Sequence, residues 1–166
     1  MRIVRVLIPI LLLGSISFVL GNTPSNIAST AAFEKMKTLI GSWDSTTTTG
    51  IQHAEFQLIA DGSVLMNRLS GGMPHDMWTM FHMDGSDFML THYCAMHNQP
   101  RMILVPSNDT NKLTFKFKDG TNLEPGAAHM NQVAFVIDGP THHVEEWTYL
   151  ANGKETTTRA EFRRKP

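Results

Sequence analysis

One stretch holds most of the residues able to do chemistry. Phe88 to Met102 contains the single cysteine, Cys94, together with His92, His97, Asn98, Gln99 and Arg101. Read as a strand through Met96, it places Leu90, His92, Cys94 and Met96 on one face and Met89, Thr91, Tyr93 and Ala95 on the other. An imidazole beside a thiolate, with Met96, Met102 or His129 as further soft ligands, is a donor set for copper, zinc or haem iron. The expected metal set is therefore His92, Cys94 and His129. The competing expectation is a core histidine hydrogen-bonded to a neighbour such as Thr79 or Gln99, beside a cysteine that fills apolar space. It is favoured, because no second His or Cys stands at fixed ligand spacing. A Cys94-dependent enzyme lacks an assigned acid and a Gly-rich oxyanion loop, so the chain leans away from catalysis.

Around this pair stand groups suited to orienting a ligand. Asn98, Gln99 and Arg101 could hold a carboxylate at a barrel mouth, Arg101 through its two-pronged guanidinium; equally, Asn98 and Gln99 could satisfy the turn before Pro100. Glu145 and Glu146 are adjacent on a strand pattern, so one points inward and needs a partner, for which Arg101 is the candidate. His142 and His143 face opposite ways and cannot chelate together easily. The methionines are adaptable filling that could line a pocket for apolar molecules. The expected ligand-binding set is His92, Cys94, Gln99, Arg101, Met77, Thr79, Met102 and Glu145.

The elements that must position these residues are legible from turn signals. Thr49-Gly50, Asp61-Gly62, Gly71-Gly72, Asp84-Gly85-Ser86, Pro106-Ser107-Asn108, Asp119-Gly120, Asp138-Gly139-Pro140 and Asn152-Gly153 separate short runs rich in Thr, Val, Ile and aromatics. The runs predicted as strands are 43–48, 52–59, 63–69, 76–83, 88–96, 101–105, 112–118, 131–137, 142–149 and 155–162, with 121–130 a loop ending at His129. About ten strands exceed what one open sheet holds comfortably, so closure into a barrel removes the edges. A turn at Asp84 to Asp87 would set Met83 opposite Phe88, Phe81 opposite Leu90, Thr79 opposite His92 and Met77 opposite Cys94. Before the strands, Ser29 or Thr30 caps a short helix to about Ile40, with Phe33, Met36, Leu39 and Ile40 on one stripe and Gly41 ending it.

Helix, then Gly41-Ser42-Trp43 at the head of the first strand, then a long meander: this order resembles the calycin superfamily of lipocalin-like barrels. More specifically, Phe33 to Trp43, Phe81 to Gly85, Thr91-His92-Tyr93-Cys94, Asn98-Gln99-Pro100-Arg101-Met102 and Glu145-Glu146-Trp147-Thr148 resemble an uncharacterised family of exported bacterial lipocalin-like proteins, across residues 33–162. The resemblance implies a fold and a compartment, and no activity. The fold expected is mainly β: an antiparallel up-and-down calycin-like barrel of about ten strands with a short N-terminal helix.

The 166 residues suit one domain. Arg2 and Arg5, an apolar run through Leu20 and a small residue at Gly21 form the pattern of an export signal over 1–21, followed by a linker over 22–29 and the barrel domain over 30–166. Removing Arg2 and Arg5 with that signal leaves 12 Lys+Arg against 15 Asp+Glu, a formal charge of −3, which favours neither nucleic acid nor an anionic membrane as partner. In a secreted or periplasmic setting Cys94 has no intramolecular mate, so it is buried, liganded or paired with another molecule. The expected function is that of an exported barrel holding a small, largely apolar molecule in its lumen, oriented by a His/Cys/amide/Arg patch. The alternative is a metal or haem protein using His92 and Cys94.

Overall fold

The structure, a computed structural model, describes the chain from Pro24 to Pro166. The segment expected to be an export signal, 1–21, lies outside the described residues. Helix α1 spans Pro24–Lys37, so it begins inside the stretch expected to be a linker. A proline is at home in the first turn of a helix, where its missing N–H has no partner to lose. Ala32, Phe33 and Met36 form its buried face, and Leu39 in the turn that follows is buried with them. Phe33 lies 5.2 Å from Phe88, which fastens the helix over the barrel.

Ten strands follow: β1 (Gly41–Thr47), β2 (Gly50–Ile59), β3 (Val64–Ser70), β4 (Met77–Asp84), β5 (Asp87–Tyr93), β6 (Gln99–Val105), β7 (Lys112–Thr121), β8 (His129–Ile137), β9 (His142–Ala151) and β10 (Lys154–Arg164). Each pairs antiparallel with its neighbour in sequence, and β1 pairs with β10 to close the ring. The expected mainly-β barrel with a helix ahead of the strands is the fold observed.

The Asp84 to Asp87 turn sets the register as its length dictates, with Met83 opposite Phe88, Phe81 opposite Leu90 and Thr79 opposite His92. The expected pairing of Met77 with Cys94 does not form, because this ladder ends at Trp78 and Tyr93. There the Cys94 N–H donates to the Asn98 carbonyl (3.1 Å) and the His97 N–H to the Cys94 carbonyl (3.0 Å), so the chain turns back with His97 at φ 63°. Cys94 to Met96 belong to a turn, and the expectation that Cys94 shares a strand face with His92 is corrected.

The two ends of the barrel differ. At the helix end, Phe81, Phe88, Phe115 and Phe135 stack edge-on or tilted with centroids 5.1 to 6.4 Å apart, and with Trp43, Phe56 and Phe162 they fill the interior. At the other end the inward positions include Ser45, Gln52, Met77 and Met130, too small or too flexible to fill a ten-stranded ring, whose width grows with strand number. Space remains there.

The closing seam is short. β1 and β10 share only the pairs Trp43 with Arg164 and Asp44 with Arg163, whereas β9 and β10 stay paired from Ala151–Lys154 to His142–Arg163. Arg164 clasps that foot: its guanidinium donates to the carbonyls of Thr38 (2.7 Å), Ile40 (2.6 Å) and Pro140 (2.7 Å) and lies 4.1 Å over the Trp43 ring. The Trp43 indole N–H donates to the Leu39 carbonyl (2.7 Å). Gly41 sits at φ +124°, and a Cβ there would come within 2.8 Å of Arg164 Nη1.

Candidate ligand-binding site

The open half of the barrel holds a cavity of about 750 Å³, within the range of small-molecule pockets. Leu69, Met73, Met77, Met130, Trp147 and Phe162 form its apolar wall, and Ser45, Gln52, His92 and Glu145 supply polar groups among them. Thr46 to Thr49 and Thr158 to Glu161 belong to the wall too. Thr46 and Thr47 lie on β1 and Thr158 to Glu161 on β10, beyond the short seam, and Thr48 and Thr49 form the β1–β2 turn, so the cavity wall takes in the region where those strands part.

His92 on this wall is 1% exposed. Strand alternation on β5 turns it inward, and its ring lies 4.7 Å from that of Trp147. Nδ1 shares a hydrogen bond of 2.9 Å with the Thr79 hydroxyl on β4, a partner that stands off the cavity wall. Nε2 has no partner among the described residues. Burial lowers its pKa from 6.5 to about 4, so the imidazole is neutral at pH 7. An unpaired buried polar atom costs about 1–3 kcal/mol, a penalty that a ligand group in the lumen would relieve.

Across the barrel, β9 presents His143, Glu145 and Trp147 inward, the period-2 set of a strand. Glu145 accepts the Trp147 indole N–H (2.8 Å) and lies 3.3 Å from His143 Nε2. His143 is fully buried, stacked on Phe162 at 5.0 Å and edge-on to Trp43 at 4.5 Å. Glu146 faces outward to Lys112 (2.8 Å). The inward glutamate thus has Trp147 and His143 as partners. The expected Arg101 partner is corrected: Arg101 is exposed and forks onto Asp119.

Of the residues expected to bind ligand, His92, Met77 and Glu145 lie on the cavity wall. Thr79 stands behind His92, and Met102 is fully buried in the packed half. Cys94, Gln99 and Arg101 lie off the wall. Gln99 accepts from Thr121 (2.6 Å) and Asn122 (3.2 Å), and Asn98 donates to the Ala128 carbonyl (3.0 Å), so both amides hold the β5–β6 turn and its neighbouring loop. His129 packs on Phe117 at 4.3 Å and meets the Ala127 carbonyl at 2.8 Å. Among the described residues no group of three or more His, Cys, Asp or Glu side chains is placed to hold a metal ion, so the trio His92, Cys94 and His129 is not assembled. Ser45, Gln52 and Trp147 on the wall went unnoticed in the sequence, although each sits at an alternating inward position.

The chain's fold is similar to that in the crystal structure of Rv2717c from M. tuberculosis, with a TM-score of 0.53 over 81% of this chain and 98% of that one. Identity is 15%, so the likeness concerns the fold alone. No protein-family model matches the chain, and no curated protein matches it significantly.

Proposed function

We propose that this protein is an exported calycin-like barrel that holds a small, largely apolar molecule in its lumen, with His92 orienting it. The observation that carries the proposal is an apolar-walled cavity of about 750 Å³ on which a buried imidazole offers a nitrogen without a protein partner. Export rests on the tripartite pattern of residues 1–21. Native mass spectrometry of protein isolated from its own compartment tests both parts: the expected species starts at Asn22 and carries a bound small molecule. A chain that retains residues 1–21 rejects cleavage. A barrel that arrives alone, and then binds none of a panel of lipids, tetrapyrroles and aromatics, rejects the lumen function.

Haem binding is the second function the same nitrogen supports. A neutral imidazole with Nε2 unpartnered is the state that coordinates iron. Titration with haemin should then shift the absorption spectrum, and His92→Ala should abolish the shift; a spectrum identical to free haemin rejects it.

A further inference from the structure

Resting on the lumen function proposed above, we infer that the buried end of the bound molecule is an uncharged hydroxyl or amide, and that this lumen discriminates against carboxylates. Three observations converge on that class. First, of the buried side-chain polar atoms without a partner among the described residues, only His92 Nε2 belongs to a residue on the cavity wall. The ligand group that meets the lumen's polar need has to meet this atom. Second, the Nδ1 partner is a hydroxyl, which can donate or accept, so Nε2 is an acceptor in one tautomer and a donor in the other. A hydroxyl or amide carries both capacities and fits either form; a carboxylate fits only one.

Third, among the described residues the deep wall offers no cation. The single Arg or Lys they place on the wall is Arg159, which is exposed and already engaged by Glu161 and Glu146. Arg101, the cation that could have met a carboxylate at the mouth, is held outside by Asp119. A ligand carboxylate carried down to His92 would be desolvated beside the oxygens of Glu145 with no countercharge. The imidazole does not supply one, since burial keeps it neutral at ordinary pH. Trp147, Met77 and Leu69 complete an apolar sleeve for the body of the molecule.

The test is a matched series of long-chain alcohol, primary amide, carboxylic acid and alkane of one chain length, titrated at pH 7 by calorimetry and by the fluorescence of a Trp43→Phe, Trp78→Phe variant that keeps the wall residue Trp147 as its one tryptophan. The alcohol and the amide should bind at least about tenfold more tightly than the acid or the alkane. His92→Phe should erase the preference of alcohol over alkane, while His92→Gln, which keeps a donor and an acceptor, should retain most of it. An acid that binds as tightly as the alcohol, or an alcohol no tighter than the alkane, overturns the inference and leaves lumen binding standing. Binding by none of the four overturns the inference, and the panel of lipids, tetrapyrroles and aromatics then decides the lumen function separately.

Discussion

At His92 one side chain joins stability to solution acidity. Its pKa is about 6.5 in the unfolded chain and about 4 in the barrel, so between these values the unfolded state binds the extra proton and the folded state does not. Stability therefore falls as pH drops through that window, by about 3 kcal/mol in all. Denaturant midpoints measured from pH 7 to pH 4 should show this slope, and His92→Phe should flatten it; equal slopes in the two proteins would contradict the assignment. Glu145 has a structural duty of comparable weight, because its oxygens face the indole N–H of Trp147 and Nε2 of His143. Glu145→Leu leaves those buried groups unpaired and should destabilise the fold by about 2–5 kcal/mol, whereas Glu145→Gln should lose less, as thermal unfolding would report. The sequence made His92 and the inward glutamate visible through strand alternation. It did not place Cys94, Gln99 or Arg101, because their positions depend on where β5 stops, and a tight turn at Cys94 to Asn98 competed successfully with strand propensity. The partners of Glu145, Trp147 and His143, lie two residues either way along its own strand, on the face that alternation gives all three.

Among the elements, β1 and β10 are the pair to watch. Arg164 links the loop after α1, the β8–β9 turn and the Trp43 ring. Arg164→Leu should destabilise the barrel by about 2–4 kcal/mol through lost charge-assisted hydrogen bonds and ring contact. A variant as stable as the parent in urea titration would show that the seam needs no clasp. Beyond the two seam pairs, the facing edges of β1 and β10 lack partners, so amides of Ser45 to Thr47 and Thr156 to Glu161 that point into the gap should exchange with deuterium faster than amides of the continuous β8–β9 ladder. Uniform protection around the ring would count against an opening there. Strand number, order of pairing and the β4–β5 register were legible because Gly-containing turns punctuate the chain and the Asp84 to Asp87 turn has a defined length. The start of α1 was not, since Pro24 resembles a linker residue until it is seen in a first turn. The shortness of the seam had no sequence signal, being set by the curvature of the whole ring.

For the molecule as a whole, one end is packed with aromatics and the other is lined with Thr and Met, so rigidity and capacity are divided along the barrel axis. A ligand that fills the open end should stabilise the entire fold by mass action, about 2.7 kcal/mol at one hundred times its dissociation constant. That corresponds to a rise in melting temperature of roughly 5–11 °C for a chain of this size, measurable by scanning fluorimetry with the best binder of the series. A binder that leaves the melting temperature unchanged would have to sit outside the folded lumen. The clasp also has a consequence for the order of events in the life of the chain. Arg164 meets Ile40 across 124 positions, so the ring cannot be joined until nearly all of the strands have been synthesised. The hairpins can zip in succession as they emerge, and the last-formed contact then converts an open ribbon into a vessel.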